Sequence, residues 1–410
     1  MALIVKKFGG SSVATPEKVM AVAQRILKEK MPEDKIVVVV SAMGDTTDDL
    51  ITLAKAIADQ PYTYTREMDM LLSTGEQVTI ALLAMSFKKL GHPAISFTGP
   101  QAGIESSLAH TKGKILSIKP DRVLEELDRG NIVVVAGFQG MTATGDIATL
   151  GRGGSDTSAV ALAGALNADA CEIFTDVDGV YSSDPRVVKS ARKMKEITYN
   201  EMLEMARLGA GVMQPRSVEM GKKYNVPIHV RSTFTLTPGT FIREVYTVEE
   251  KEFIVRGVTH DTNVAKIAVL GVPDVPGIAY KIFAALANAN IDVDMIVQSI
   301  RNTDKNIIDM VFTIAQPDLP LARKIVEKIG DDLEILGIVV EENVAKVSVV
   351  GAGMLGNPGI AATMFGALAD AGINIEVIST SEISISCLIQ ADKVHEAINT
   401  IHAKFFPNKQ

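Results

Sequence analysis

Leu150-Gly151-Arg152-Gly153-Gly154-Ser155-Asp156-Thr157-Ser158-Ala159 is the most informative stretch of the chain. Its glycines give a backbone that turns sharply and approaches a ligand closely. Ser155, Asp156 and Thr157 offer N-cap oxygens, and the apolar run Ala159–Ala163 predicts the helix they start. Free amides at a helix start, with Arg152 beside them, make a site for an anion. Two other segments share this character. Lys6-Lys7-Phe8-Gly9-Gly10-Ser11-Ser12 follows the apolar run Leu3-Ile4-Val5. Phe174-Thr175-Asp176-Val177-Asp178-Gly179-Val180-Tyr181 precedes Ser183-Asp184-Pro185-Arg186. Each lies where a predicted strand ends, the place where open α/β sheets bind ligands.

From Ala2 to about Arg231, apolar runs at Lys35–Val40, Asn131–Ala136 and Cys171–Thr175 alternate with helical periods. The helices are expected at Glu17–Glu29, Thr46–Ala58, Ser73–Lys89 and Ser155–Leu166. Runs without polar alternation suit strands buried on both faces of a parallel sheet. The pattern predicts a three-layer α/β/α domain with a doubly wound, mainly parallel sheet. Pro227–Arg231 reads as its last strand, Thr237-Pro238-Gly239-Thr240 as the turn leaving it, and the charged stretch Glu244–Glu252 as a linker.

Beyond the linker the chain repeats itself. Pro276-Gly277-Ile278-Ala279 recurs as Pro358-Gly359-Ile360-Ala361, an offset of 82 (358 less 276). The same offset aligns Phe283 with Phe365, Leu286 with Leu368, Ala289 with Ala371, Ile291 with Ile373 and Ser299 with Ser381. Each copy reads strand, turn, helix, strand, strand, helix, the ferredoxin-like βαββαβ unit. The second copy runs out after its helix Val394–Phe405, because Pro407–Gln410 is too short and polar for a strand. The spare strand is Phe253–Thr259, ahead of the first copy. The first unit is therefore expected to be inserted in the second.

Composition narrows the function. A chain of 410 residues carrying a formal charge of −8 and no tryptophan offers nucleic acid neither a basic face nor a stacking platform. Its length allows two or three domains. Cys171 and Cys387 lie in apolar strand-like runs, so buried free thiols are expected rather than a disulfide or a metal site. No signal-peptide pattern opens the chain and no apolar run approaches membrane-spanning length, which predicts a cytoplasmic protein without membrane contact.

Three further segments belong with the glycine-rich loops: Ser41-Ala42-Met43-Gly44-Asp45-Thr46-Thr47, Gly75-Glu76-Gln77 and Gly137-Phe138-Gln139-Gly140. Their order resembles that of the monofunctional aspartate kinases of the amino acid kinase superfamily, which carry paired ACT domains at the C-terminus. The resemblance runs from Ala2 to about Phe405. It implies an amino acid kinase domain over 1–245, a linker and completing strand over 246–262, a first ACT domain over 263–342 and a second over 343–410. It further implies transfer of the γ-phosphoryl of ATP, with Mg2+ accompanying the nucleotide, to the β-carboxylate of aspartate. The product, 4-phospho-L-aspartate, would feed lysine, threonine and methionine (diaminopimelate) biosynthesis, under feedback by lysine, threonine or both. A carboxylate with a pKa of about 4 is already a nucleophile at neutral pH. Such an enzyme needs positioning and positive charge, not a general base.

Carried onto this sequence, the resemblance makes Lys7 the cation that stabilises the transferring phosphoryl and leaves Lys6 to solvent. Arg152 suits the α-carboxylate of aspartate as a bidentate partner. Asp156 suits the ammonium, a role that competes with helix capping. Glu76 contacts substrate and supports catalysis. Ser41, Asp45, Thr47, Gly153, Gly154 and Ser155 complete the substrate site, while Phe138 either walls the pocket or fills the core. The nucleotide falls to Lys7, Phe8, Gly9, Gly10, Thr175, Asp176, Tyr181, Asp184, Pro185, Arg186 and Gly211, with Tyr181 along the adenine and Arg186 on phosphates. Asp176-Val177-Asp178-Gly179 opens like a calcium loop, but the later ligands are absent and no metal site is expected. One segment departs from the family. Its members read Gly-Ala-Lys-Val-Leu-His-Pro where this chain reads Gly209-Ala210-Gly211-Val212-Met213-Gln214-Pro215. Either a nucleotide contact is missing there, or Arg216 or Lys222 supplies it.

In the ACT half, the implied effector residues are Asp274, Gly277, Ala279, Asp292, Asp294 and Gln298 of the first copy. Ile360, Asn374, Ile375, Ser381 and Glu382 are those of the second, with the two units paired edge to edge. Implied partners are further copies of the chain, as a dimer or tetramer through the ACT domains, and a separate regulatory subunit. No methionine between Met220 and Met295 would start such a subunit near the linker. Two rival readings are another amino acid kinase (for glutamate, acetylglutamate or a nucleoside monophosphate) and a dead kinase serving as an amino-acid sensor. Gly-Arg-Gly-Gly-Ser-Asp beside a Pro-Gly ACT repeat opposes the first. Intact Lys7, Glu76, Arg152 and Asp156 oppose the second, since buried charges are costly to keep without use.

Overall fold

Ile36-Val37-Val38-Val39-Val40 has no polar face to show water, and β-branched residues favour the extended backbone. It forms the strand Lys35–Val40, near the middle of an eight-stranded sheet. The computed structural model describes residues 2–244, 254–302, 306–354 and 356–407, so most of the charged linker and Phe253 lie outside the described residues. The chain folds into two compact units. The first comprises Met1–Val180, Lys193–Ala206 and Gly211–Glu250, and the second Tyr181–Arg192, Arg207–Ala210 and Lys251–Gln410.

In the first unit the strands run Glu196–Ile197, Thr240–Ile242, Ile228–Ser232, Ala170–Thr175, Leu3–Phe8, Lys35–Val40, Ile132–Ala136 and Ala94–Phe97 across the sheet. All neighbours are parallel except Thr240–Ile242 against Ile228–Ser232. Helices form where the apolar periods predict them, at Pro16–Glu29, Thr46–Ile57, Thr74–Lys89 and Gly154–Ala165, and all but Thr46–Ile57, which has no buried residue, bury a face in the first unit. The helical span Thr65–Lys89, of 25 residues, is long and apolar enough by composition to cross a membrane, a property it shares with buried core helices. Its apolar face belongs to the core instead, where Ile80, Leu83, Ala84 and Phe87 pack with Phe8, Val38 and Val134. A second sheet was not foreseen. Ile115–Ile118, Ile104–Ser106, Gln139–Met141 and Ile147–Thr149 form it, and its last strand leads into the Arg152 loop.

The second unit contains both βαββαβ sheets. The first sheet is ordered Val293–Asn302, Ile307–Ala315, Val264–Pro273, Gly337–Glu341, with helices Ile278–Asn288 and Leu319–Leu333 on one face. The other is ordered Gly257–Asp261, Val344–Val350, Ser384–Gln390, Val377–Thr380. Gly257–Asp261 pairs antiparallel with Val344–Val350, so the strand ahead of the first copy completes the second and the first unit is inserted. The expected edge-to-edge pairing of the two units is corrected: they meet face to face. Val264 and Met295 on one sheet pack against Val344, Val377 and Leu388 on the other. Lys266–Glu376 and Lys346–Asp294 ion pairs, each at 2.6 Å, flank that contact. The cause is the residue alternation, which sets Val264 and Lys266 on the helix-free face of one sheet and Val344 and Lys346 on that of the other, so each face has apolar side chains to cover and a lysine that pairs across the contact.

Candidate active site

Successive residues of a strand leave by opposite faces, so Lys6 and Lys7 have different fates. Lys6 is not solvated as expected but 3% exposed. Its Nζ donates to Glu172 at 2.5 Å and to Glu29 at 3.2 Å. The register sets Lys6 beside Glu172 and Glu172 beside His229, and Arg231 donates to Glu172 and Glu29. Burial alone would raise the Glu172 carboxyl, but His229 Nδ1 at 3.7 Å, Lys6 and Arg231 outweigh it and hold it at about 2.

Lys7 leaves by the other face, at the strand end, and its Nζ lies 2.5 Å from Asp156 Oδ1. The expected capping by Ser155, Asp156 or Thr157 does not occur. Gly153 is the N-cap of the helix Gly154–Ala165, with φ 70°, and the three side chains fall within the first turn. Only glycine tolerates that position. The backbone is left-handed, and an added Cβ would come within 2.0 Å of the Gln214 side chain. Thr157 Oγ1 donates to the Gly153 carbonyl, and Asp156, released from capping, is available to the lysine.

Glu76 sits in the first turn of Thr74–Lys89, 3% exposed. Its Oε1 accepts from the Ala42 amide at 3.2 Å, while Oε2 has no partner among the described residues. Burial pushes its pKa up to about 7, against the pull of the Ala42 hydrogen bond. Phe138 is half-buried with φ 69°, a strained backbone for a bulky residue and common at functional sites. It lines the pocket, so the core alternative falls. A cavity of about 180 Å³ brings together Lys7, Ser41, Thr47, Glu76, Phe138, Gly151, Arg152, Gly153, Gly154, Ser155 and Asp156. Asp45 is outside this lining, exposed at the start of Thr46–Ile57, where its side chain makes no capping bond.

The nucleotide candidates are less convergent. Gly10 lies against the neighbouring loop, its absent Cβ 2.9 Å from the Ala42 carbonyl. Gly9 begins the turn Gly10–Val13 at the end of its strand. The Phe8 side chain is fully buried and stacked on Phe174, so only its backbone can face a ligand. Thr175 ends the adjacent strand and donates to Asp176 Oδ1 at 2.9 Å. Tyr181, Asp184, Pro185 and Arg186 belong to the second unit, where Arg186 is paired with Asp184 at 2.7 Å. At Gly211 an added Cβ would meet open space. Arg216 does not replace the missing base, because its guanidinium binds the carbonyls of Leu150 (2.7 Å) and Gly113 (2.9 Å). Lys222 donates to Asn200 Oδ1 at 2.7 Å.

Of the effector candidates, Asp274 and Gly277 are exposed at the turn before Ile278–Asn288, where Gly277 has φ 96°, and Ala279 is exposed in the first turn of that helix. Ile360 starts the matching helix of the second copy. Asp292 and Gln298 are exposed beside or on Val293–Asn302; Asn374, Ile375, Ser381 and Glu382 flank Val377–Thr380. Asp294 is already engaged by Lys346, which lowers its carboxyl pKa although burial acts the other way. Cys171 and Cys387 are buried free thiols.

Sequence reasoning missed three residues that hold the Arg152 loop from beneath, Asp69, His110 and Thr149, and considered Arg216 only for the nucleotide. The one available signal was Asp69 itself, a carboxylate on the same helix stripe as Met68 and Leu72.

Residues 2–232 match the model of the amino acid kinase family, and residues 266–331 and 347–405 each match an ACT domain. An aspartokinase of Geobacillus stearothermophilus is 49% identical over 405 residues, 99% of this chain and 97% of that one. Another, from Mycolicibacterium smegmatis, is 47% identical over 407 residues, 99% of this chain and 96% of that one. The chain belongs to the aspartokinase family. The aspartokinase fold is shared with E. coli aspartokinase III solved with aspartate and ADP, at a TM-score of 0.83 and 24% identity, over 98% of this chain and all of that one. The same E. coli aspartokinase solved with lysine and aspartate gives a TM-score of 0.77 at 24% identity, over 98% of this chain and 99% of that one.

Proposed function

We propose that the cavity binds L-aspartate and that its β-carboxylate takes the γ-phosphoryl of ATP, giving ADP and 4-phospho-L-aspartate. The observation that carries this reading is the meeting of Lys7, Glu76, Arg152 and Asp156 around one small cavity at the strand ends. Two anions must approach each other, so positive charge is the main requirement. Lys7 supplies it at the transferring phosphoryl. Arg152, exposed at the rim, pairs with the α-carboxylate through two parallel N–H bonds. Asp156 neutralises Lys7 in the resting site and takes the substrate ammonium when aspartate enters. Glu76, with one orphan oxygen facing the cavity wall, adds a second acceptor for that ammonium, whose charge would return its pKa toward the ordinary range. Mg2+ would neutralise charge on the phosphates. The described residues hold no group of three or more His, Cys, Asp or Glu side chains suited to a metal. Phosphate oxygens and water would therefore supply most of its ligands.

Arg152→Lys tests the reading. It keeps the charge but loses the paired geometry, so the aspartate KM should rise about 10- to 100-fold while that of ATP stays within twofold. A shift confined to the ATP KM would move Arg152 to the nucleotide and sink the substrate assignment.

We infer further a cytoplasmic enzyme of lysine, threonine and methionine biosynthesis, assembled as a homo-oligomer through its ACT sheets. In each of those sheets the outermost strands have no further partner strand among the described residues. Lysine or threonine is the implied effector, bound near Asp274 or Ser381 by chemistry suited to an ammonium and a carboxylate. An effector bound in the second unit can inhibit only by favouring an inactive arrangement of the first. Linkage then requires saturating aspartate and ATP to weaken effector binding by the factor with which the effector weakens theirs. Calorimetry that finds effector affinity unmoved by substrates, in a preparation inhibited through substrate binding, would refute this account. Asp274→Ala or Ser381→Ala should relieve inhibition with uninhibited turnover unchanged.

A further inference from the structure

Among the described residues of the first unit, Asp69 is the one carboxylate wholly excluded from solvent, at 0% exposure. Taking a carboxylate out of water is expensive unless several donors replace the water. Four contacts do so. The Thr149 hydroxyl donates to Oδ1 at 2.5 Å, the Thr111 amide to both oxygens at 3.1 and 3.0 Å, and His110 Nδ1 lies 2.8 Å from Oδ2.

Those donors come from the two segments that cradle the Arg152 loop. Thr149 is the last residue of the strand Ile147–Thr149, three positions before Arg152. Thr111 is held at φ 63°, a strained conformation for a β-branched residue. Its carbonyl lies under Gly151, where an added Cβ would meet it at 3.1 Å. The Gly113 amide donates to the Thr149 carbonyl at 2.8 Å, and Arg216 ties Leu150 to Gly113. Asp69 itself lies on Thr65–Leu72, within the helical span Thr65–Lys89 that also carries Glu76. Two consecutive helices that meet at Ser73 thus present Glu76 to the cavity and, about two turns earlier, anchor the floor of the loop that presents Arg152.

We propose that Asp69 is a positioning residue for substrate recognition. It fixes the separation of Arg152 from Glu76, and so the fit of the site to a short amino dicarboxylate. Asp69 does not line the cavity and acts only through Thr149, Thr111 and the loop. The inference rests on the assignment of Arg152 to the substrate carboxylate.

The test compares Thr149→Val, Thr149→Ser and Asp69→Asn in the full-length enzyme by steady-state kinetics, with Arg152→Lys alongside. Thr149→Val deletes one hydroxyl at nearly constant volume and reads the clamp even if Asp69→Asn fails to fold. Loosening the loop should raise the aspartate KM at least about tenfold, as small misplacements of binding groups do. The ATP KM should stay within twofold, and Thr149→Ser should restore the wild-type value. An aspartate KM within twofold of wild type in Thr149→Val overturns the proposal, as does an equal rise in both KM values, which marks a merely structural role. If Arg152→Lys moves the aspartate KM while Thr149→Val does not, only this inference falls. If Arg152→Lys moves the ATP KM alone, the substrate assignment itself falls.

Discussion

Lys7→Ala is expected to lower kcat by about 10³- to 10⁵-fold, the range lost when a cation facing a transferring phosphoryl group is removed. The acceptor carboxylate needs no base to activate it, so charge at the transition state is most of what the protein supplies. Lys7 makes its interaction with the phosphoryl chiefly in that state, and the loss should therefore appear in kcat more than in either KM. Secondary structure and effector binding should survive, because Lys7 stands at a strand end beside the cavity and not in the apolar core. A coupled phosphorylation assay with a thermal melt checks both halves of the expectation. Turnover within a few-fold of wild type would remove Lys7 from the mechanism. A melt that collapses would show that its pair with Asp156 is mainly structural.

The largest expected loss of stability lies on the other face of the same strand. Glu172 accepts from Lys6 and Arg231 in a buried cluster that also holds Glu29 and Arg25. Glu172→Ala strips buried Lys6 and half-buried Arg231 of a shared anion, and breaking a buried pair in this way costs about 3–5 kcal/mol. Chemical denaturation followed by circular dichroism measures it, and a loss below about 1 kcal/mol would mean that the cluster is effectively solvated. The pH dependence has a defined sign. The folded-state pKa of about 2 lies below the ordinary 4.5. Stability from Glu172 is therefore fully present above pH 4.5 and lost as pH falls toward 2. Glu172→Gln should flatten that acid limb without abolishing it, because the Glu29 carboxyl is also lowered by Lys6 and Arg231 against its burial.

What the sequence revealed depended on how many residues carried each signal. The long apolar runs and helical periods are collective, and they gave the large sheet and its covering helices. The offset repeat with one strand short is also collective, and it gave the inserted ACT unit. The loops around Lys7, Glu76 and Arg152 were legible because glycine, a charged residue and a strand end recur together. Features that hang on single residues or very short elements were not. Strands such as Ile104–Ser106 and Gln139–Met141 are three residues long, too few to display a period. Lys6 read as a surface lysine because its partners Glu29 and Glu172 are far away in sequence. The capping by Gly153 was masked by three residues that are themselves good caps. The face-to-face packing of the ACT sheets was hidden because it rests on pairs far apart in sequence, Lys266 with Glu376 and Lys346 with Asp294.

The strand Gly257–Asp261 has one more consequence, for the order in which the chain is made. It leaves the ribosome before the first ACT unit, yet its partner Val344–Val350 follows that whole unit. At synthesis rates of about 5–20 residues per second, the roughly 80 intervening residues take several seconds to appear. For that interval the strand has exposed backbone donors and acceptors and nothing of its own sheet to satisfy them. The first ACT unit can close meanwhile, since all four of its strands lie between Val264 and Glu341. The waiting strand is short and includes His260 and Asp261, polar residues that discourage pairing with a neighbouring nascent chain. Synthesis order and assembly order thus diverge, and the second ACT unit is the last part of the chain to become whole.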